Sequence, residues 1–143
     1  AALDEGIIAG GGVALLEAKS IFLEKINILK DEKGIFQGDK DEQLGSEILL
    51  NSIEKPFIQI LKNAGIDKYH TILSKVERNY KGYNIQTGKY VDMIEEGIID
   101  PTKVTRTALE NAVSVAGTML ITECTIVDDP DTKDEVAMPM MGM

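Results

Sequence analysis

Three consecutive glycines, Gly10, Gly11 and Gly12, stand between a short apolar run and an apolar stretch with helical spacing. Glycine in regular structure lowers stability by about 0.5–1 kcal/mol relative to alanine. Three in succession therefore indicate that side chains cannot be accommodated at this point of the backbone. Bare N–H groups at a helix start can hold a ligand, because the helix dipole is positive there. The triplet also suits a tight turn with close packing, and this interpretation is favoured when the triplet is taken alone. It lacks the G-K-[ST] of a Walker A loop and the G-x-G-x-x-G spacing.

The other residue types that can do chemistry are isolated along the chain. Asp100 precedes Pro101, and this pair is typical of a helix start at which the aspartate accepts free N–H groups. Asn84 suits a turn. His70 and Cys124 are the single residues of their types, which leaves no zinc-type ligand set. Taken one at a time, these residues favour structural roles.

Composition bounds the possible partners. The chain has 143 residues, of which 43% are hydrophobic, and this is enough for the core of one domain. Its net charge of −9 makes it a poor partner for nucleic acid or an anionic membrane surface. Its apolar runs are shorter than the roughly 20 residues of a membrane-spanning helix. We therefore expect no nucleic acid, membrane or metal partner.

The spacing of apolar residues predicts a mainly helical fold. Helices are expected over residues 13–29, from about Asp41, from Pro56 to Gly65, after Asp67, and from Pro101 to about Glu123. Their expected buried residues are Leu44, Ile48, Leu49 and Ile53, then Phe57, Ile60 and Leu61, then Ile72, Leu73 and Val76, and last Val104, Ala108, Leu109, Ala112, Val115, Ala116, Met119 and Leu120.

The remaining segments predict turns, short strands and a tail. Alternating aromatic and polar residues around Thr87-Gly88 predict a β-hairpin. Residues 125–127 predict a short C-terminal strand, the charged residues 30–42 a solvated loop, and the acidic, Met-rich residues 128–143 a disordered tail. The hexapeptide D-E-G-I-I-A from Asp4 is echoed by E-E-G-I-I-D from Glu95. We expect the same local device twice, in which a helix ends at glycine and both isoleucines enter the core.

Several motifs occur in one order along the chain. They are A-G-G-G-V-A-L-L, then G-Y-N with T-G-K-Y, then D-M-I-E-E-G-I-I-D-P-T-K-V-T-R-T-A-L-E-N-A, then S-V-A-G and T-E-C, and a Met/Gly tail. Together they closely resemble the C-terminal part of group I chaperonins, the GroEL type. The resemblance extends from Ala1 to about Val127 and begins partway through the family sequence.

The resemblance implies the fold, domains and partners. The chain would be the C-terminal half of a helical equatorial domain over residues 5–127, after the end of an intermediate-domain segment at 1–4 and before a tail at 128–143. Family members form rings of identical subunits that enclose unfolded polypeptide, work with a co-chaperonin, and use ATP with Mg²⁺ and K⁺. They occur in the mitochondrial matrix or a related organelle, or alternatively in the bacterial cytoplasm.

The resemblance also assigns nucleotide contacts by position. A glycine backbone lies at the ribose side, a turn touches adenine, an apolar side chain packs on the base, and a carboxylate holds the ribose hydroxyls. In this chain the matching residues are Gly11 for the ribose side, Asn84, Ile85 and Gln86 for adenine, Ile98 for the base, and Asp100 for the hydroxyls.

The chain also departs from the family pattern. Ile85 and Gln86 replace residues that are often small, which makes the expected pocket wall bulkier. The loop at 30–42 is longer than usual, and the terminal G-G-M repeats are reduced. The phosphate loop and the catalytic aspartate would lie upstream of Ala1. We therefore expect no ATP hydrolysis by the chain alone, and an apolar face left uncovered by the family's N-terminal half.

Two other classes stay open. One is a free-standing α-helical assembly or binding module without catalysis. The other is a different nucleotide-dependent enzyme, which the lack of a phosphate-handling motif disfavours. The residues upstream of Ala1 would separate them, since a phosphate-binding loop there would indicate the chaperonin.

Overall fold

The computed structural model describes residues 2–28, 30, 32, 38–79, 81–122 and 126. Its helices are α1 (Ala2–Glu5), α2 (Val13–Ile28), α3 (Lys40–Ser52), α4 (Lys55–Asn63), α5 (Tyr69–Asn79) and α6 (Thr102–Ile121). Its strands are β1 (Ile7–Ala9), β2 (Gly82–Asn84), β3 (Lys89–Val91) and β4 (Ile99–Pro101). The mainly helical fold and the hairpin, which β2 and β3 form, are confirmed.

The chain divides into two compact units, Ala1–Ala108 and Leu109–Met143. The core of the first unit is formed by α2, α4 and α5, with Val13, Leu61 and Val76 almost fully buried. The expected buried residues of α5, Ile72, Leu73 and Val76, are confirmed.

The inward face of α4 differs from the expectation at one position. Phe57 and Leu61 are buried as predicted, but Ile58 is the third buried residue. Ile60 is 38% exposed, so its predicted burial is wrong. The helix has isoleucine at both position 58 and position 60, and its packing against α5 places Ile58 inward.

Helix α3 begins within one residue of the predicted start. The Asp41 N–H donates to Asp39 Oδ1 at 3.1 Å, which caps the helix. The predicted burial of Leu44 and Ile48 is wrong, since they are 57% and 54% exposed. Ile53, just after the helix, is buried as predicted. Leu49 is half-buried. An apolar side chain is buried only where another element covers it, and the described residues leave Leu44 and Ile48 mostly uncovered.

The glycine triplet lets two backbone segments approach closely. A Cβ on Gly10 would lie 3.0 Å from the carbonyl oxygen of Ile98, and one on Gly12 would lie 3.0 Å from the Phe57 Cα. Gly12 also has a φ of +80°, which L side chains rarely adopt. The tight-turn interpretation of the triplet therefore describes Gly10 and Gly12.

The two halves of the hexapeptide echo pair with each other. Strands β1 and β4 are antiparallel, with Ile8 opposite Asp100 and Ala9 opposite Ile99. The ladder is extended at one end by the Gly10 N–H donating to the Ile98 carbonyl at 2.9 Å. Alternation along a strand sends neighbouring side chains to opposite faces. Accordingly Ile7 and Ile99 are 46% and 42% exposed, and the expectation that both isoleucines of each copy enter the core is wrong.

Helix α6 begins one residue later than the Asp-Pro pair predicts. Asp100 and Pro101 belong to β4, so the predicted N-cap role of Asp100 is wrong. Strand pairing places Asp100 opposite Ile8 and therefore takes precedence over its capping preference.

The predicted burial of one face of α6 is wrong among the described residues. The helix has no buried residue, and Val104, Val115 and Met119 are 54%, 58% and 68% exposed. The expectation of an exposed apolar face therefore holds for the described residues.

The predicted C-terminal segments lie mostly outside the described residues. Of the strand predicted at 125–127, the structure describes Ile126, which is 94% exposed and not in a strand. The predicted tail at 128–143 and residues 31 and 33–37 of the predicted loop at 30–42 also fall outside the described residues. Within the part described, no helix is both long and apolar enough to cross a bilayer.

One cation joins three segments of the first unit. The Lys19 ammonium on α2 donates to Glu54, which precedes α4, and to Glu77 on α5 at 2.6 Å. Partial burial alone would lower the pKa of Lys19, but the hydrogen bonds from its ammonium to the two carboxylates outweigh burial and raise it.

A pair of alanine substitutions tests the glycine packing. Gly12→Ala should lower the free energy of unfolding by more than about 1 kcal/mol, because it combines a strained φ with a clash against the Phe57 backbone. The control Gly45→Ala has nothing within 4 Å of its new Cβ and lies in α3. It should instead raise stability by about 0.5–1 kcal/mol. Urea unfolding followed by circular dichroism measures both, and equal effects would refute the packing role.

A second pair tests the Lys19 cluster. Lys19→Met leaves two carboxylates facing each other and should lower the free energy of unfolding by about 1–3 kcal/mol at neutral pH. The control Lys25→Met, at an exposed position near the end of the same helix, should change it by less than about 0.5 kcal/mol.

The Lys19 effect should also depend on pH. Because folding raises the pKa of Lys19 above 10.5, its contribution is complete below that pH and is lost as pH rises through the folded-state value. Urea unfolding at neutral pH and above pH 10.5 checks this. A difference between parent and Lys19→Met that is unchanged at high pH would contradict the assignment.

Candidate functional site

The β1–β4 pair gathers three of the residues that the sequence predicts for a nucleotide site. The Gly10 N–H is bonded to the Ile98 carbonyl, so Gly11 follows directly at the end of the ladder that carries Ile98. Asp100 lies two residues further along the same strand segment, opposite Ile8. Gly11, Ile98 and Asp100 therefore belong to one backbone arrangement built on the β1–β4 ladder.

The hairpin is connected to the same region through one buried side chain. Met93 is 4% exposed, and its Cε lies 3.0 Å from the position that a Cβ on Gly11 would take. A Cβ on Gly82, the first residue of β2, would overlap the Cγ and Sδ atoms of Met93. The base of the hairpin that carries Asn84 is thus packed against the residue that contacts the glycine turn.

Asn84 holds the hairpin turn with its side chain. It is 8% exposed, and its Oδ1 accepts the Gln86 N–H at 3.0 Å and the Thr87 N–H at 3.3 Å. Its carbonyl accepts the Gly88 N–H at 2.8 Å. Both lone pairs of the side-chain oxygen are therefore used, and a contact of this side chain with a base would come from its NH₂ group.

The other predicted base-contacting residues differ in exposure. Ile85 and Gln86 are exposed in the turn, so their side chains extend from the hairpin tip. Ile98 is half-buried and packs against the hydrophobic core of the first unit. An apolar side chain held in this way offers a fixed surface of the kind on which a planar base can pack.

The carboxylate of Asp100 is available as an acceptor. It is half-buried in β4, and the described residues provide it with no hydrogen bond or ion pair. A carboxylate can accept hydrogen bonds from two neighbouring hydroxyl groups, as a ribose presents them. The side chain is therefore chemically suited to the role that the sequence predicts.

Charged pairs join α1 to the first turns of α6, and sequence reasoning missed them. Arg106 contacts the two carboxylate oxygens of Glu5 through its Nε at 3.0 Å and Nη2 at 2.6 Å, and Lys103 lies 3.4 Å from Asp4. The hydrogen bond from Arg106 lowers the pKa of Glu5. The partners are far apart in sequence and no periodic signal links them.

A shallow cleft lies away from the predicted residues. It lies between α2 and α5 and is lined by Val13, Leu16, Glu17, Ser20, Val76 and Glu77, with a cavity volume of about 10 Å³. Ligand pockets usually exceed about 300 Å³. Within the described ranges, no group of three His, Cys, Asp or Glu side chains is arranged to hold a metal ion.

Comparison with known proteins identifies the family. Residues 1–130 match the TCP-1/cpn60 chaperonin family. Among solved structures, the chain is similar to the open-state monomer of a group II chaperonin from Methanococcoides burtonii, with a TM-score of 0.68 and 24% sequence identity. The match covers 81% of this chain but 28% of that chain, and at this identity it shows the fold alone. Because the family match covers most of its residues, the chain belongs to the TCP-1/cpn60 chaperonin family.

Proposed function

We propose that this chain forms the base and ribose side of an ATP site in a group I chaperonin, as the C-terminal half of its equatorial domain. The observation that carries the proposal is that one ladder joins the segments of Gly11, Ile98 and Asp100, in a chain of the chaperonin family. Gly11 and Ile98 lie at the end of the β1–β4 ladder, and Asp100 is paired with Ile8 within it. The assignment to group I is supported by the motif D-P-T-K-V-T-R-T-A-L, which begins at Asp100.

Each residue has a distinct task in this proposal. The Asp100 carboxylate accepts hydrogen bonds from the ribose hydroxyls, and the bare backbone at Gly11 admits the sugar closely. The Ile98 side chain packs on the base. The hairpin turn of Asn84, Ile85 and Gln86 borders adenine, with the Asn84 NH₂ group as the donor that the turn itself does not use.

The phosphate chemistry belongs to another part of the proposed protein. Catalysis of phosphoryl transfer depends mainly on positioning and on charge stabilisation around the phosphates. The chain has no Walker A motif, and the resemblance to group I chaperonins places their phosphate loop and catalytic aspartate upstream of Ala1. Mg²⁺ and K⁺ would accompany ATP on that side of the site.

The whole protein would then act as a ring. We propose identical ring subunits, a co-chaperonin and unfolded polypeptides as its partners, and the mitochondrial matrix or a related organelle as its location, with the bacterial cytoplasm as the alternative. Residues 1–4 would end an intermediate-domain segment, and residues 128–143 would form a tail after the equatorial half-domain.

A free-standing assembly module is the second candidate. It is favoured by the exposed apolar residues of α6, which include Val113, Val115 and Leu120. Uncovered apolar surface of this kind promotes association with another chain. This candidate predicts no nucleotide binding, and the substitution of Asp100 described below separates it from the first.

The 143-residue chain alone should not hydrolyse ATP. Phosphate release is measured with purified chain, ATP, Mg²⁺ and K⁺, and we expect the rate of the buffer blank because phosphate-side groups are missing. Steady turnover that disappears in an Asp100→Asn variant would show that the chain carries a complete catalytic site, contrary to the proposal.

Asp100→Asn tests the ribose role in a full-length, ring-forming chain that contains these residues. The substitution keeps the shape of the side chain but removes its charge, so ATP affinity should fall about tenfold, equivalent to roughly 1.4 kcal/mol. The free energy of unfolding without nucleotide should change by less than about 0.5 kcal/mol. Isothermal titration and urea unfolding measure the two quantities.

The matched control is Asp67→Asn, at an exposed position before α5. It removes the same charge and should leave ATP affinity unchanged. An Asp100→Asn ring that binds ATP as tightly as the Asp67→Asn ring would rule out the ribose role.

A further inference from the structure

We propose that Met93 is a positioning residue that fixes the spacing between the glycine turn and the hairpin, and thereby the selectivity for the base. The inference rests on the proposed nucleotide site and goes beyond it, because Met93 is not among the residues expected to touch the nucleotide. Met93 makes three contacts, each with a different segment of that site.

The side chain of Met93 lies between two glycines. It is 4% exposed, and it fills the space that a Cβ would need at Gly11 on one side and at Gly82 on the other. Gly11 belongs to the expected ribose side, and Gly82 begins the strand that leads to Asn84. The thickness of this one side chain therefore sets how closely the two segments approach.

The backbone of Met93 holds the third segment. Its carbonyl accepts the Ile98 N–H at 2.8 Å, and the Ile98 carbonyl in turn accepts the Gly10 N–H at 2.9 Å. The turn that begins at Met93 is fixed by the Asp92 carboxylate, which accepts the Ile94 N–H at 2.9 Å. Met93 is thus linked to the glycine turn, the hairpin and the base-packing residue.

Methionine suits this position physically. Its unbranched thioether fits a narrow gap between two backbone segments. Gly82 is not among the glycines with positive φ, so its backbone would accept a side chain. What opposes a methyl group at Gly82 is chiefly Met93 itself, with Val13 Cγ2 at 3.1 Å as a second, looser neighbour. The absence of a side chain at Gly82 therefore makes the room that the Met93 side chain occupies.

The experiment measures binding of ATP and GTP to the full-length ring by isothermal titration. Met93→Ala should weaken ATP binding about tenfold and lower the ratio of ATP to GTP affinity, because a displaced hairpin no longer fits adenine. Met93→Leu, which nearly conserves volume, should stay within about twofold of the parent. Gly82→Ala should weaken ATP binding, because its new methyl group overlaps the Met93 side chain. In the double variant with Met93→Ala this overlap is absent, so the loss of ATP affinity should be smaller than the two single losses multiplied together.

The control for a merely structural role is Ile58→Ala. Ile58 is 8% exposed in α4, so its truncation also leaves a cavity in the core. It takes no part in the hydrogen bonds and close approaches that join Met93 to Gly11, Gly82 and Ile98. It should lower the free energy of unfolding and leave the ratio of ATP to GTP affinity unchanged. A Met93→Ala ring that behaves like Ile58→Ala would overturn the inference.

Two further results complete the test. If Met93→Ala does not fold, the test uses Gly82→Ala instead. A Gly82→Ala ring with the same ATP affinity as the parent would overturn the inference. Asp100→Asn is titrated alongside. If it weakens ATP binding while the Met93 and Gly82 variants do not, the positioning role alone is wrong. If Asp100→Asn binds like the parent, the proposed site and the positioning role fall together.

Discussion

The first unit depends on the close approach of backbone segments at the glycine turn. Gly10 lies against the backbone of Ile98 and Ile99, and Gly12 lies against the backbone of Phe57. Any Cβ at these positions would have to push β4 or α4 away. Because the turn is tight, β1 can pair with β4, and α2 enters the core with Val13 almost fully buried. One local constraint thus places a ladder and a core helix together.

The same constraint explains how packing and binding can share a sequence feature. Gly10 and Gly12 are used for packing against backbone, whereas Gly11 between them lies against the end of the Met93 side chain. Because Gly10 and Gly12 are both packed against backbone, Gly11 between them is held in a fixed position. Preorganised backbone of this kind binds a ligand without ordering cost at the moment of binding. The packing interpretation therefore describes Gly10 and Gly12, whereas the proposed ligand contact concerns Gly11 alone.

The sequence predicted features that depend on local patterns. The helices and the hairpin follow from periodicity and turn residues, and their positions agree with the structure within a few residues. The wrong predictions depended on residues that are distant in sequence. Asp100 is not an N-cap because it pairs with Ile8, and Leu44 is exposed because the described residues leave it mostly uncovered. Met93 carried no signal, because a buried methionine in a turn is recognisable only when the glycines opposite it are known. The predicted nucleotide residues came from family resemblance and stay predictions.

The central claim is that the β1–β4 ladder and the glycine turn beside it bind the ribose and base of ATP. The most direct measurement is a cryo-electron microscopy structure of the full-length ring with ATP bound. The account predicts ribose hydroxyls within about 3 Å of the Asp100 carboxylate, with the sugar beside Gly11 and adenine between Ile98 and the turn that follows Asn84. A nucleotide bound elsewhere, with the Asp100 carboxylate in contact with solvent or protein alone, would contradict it.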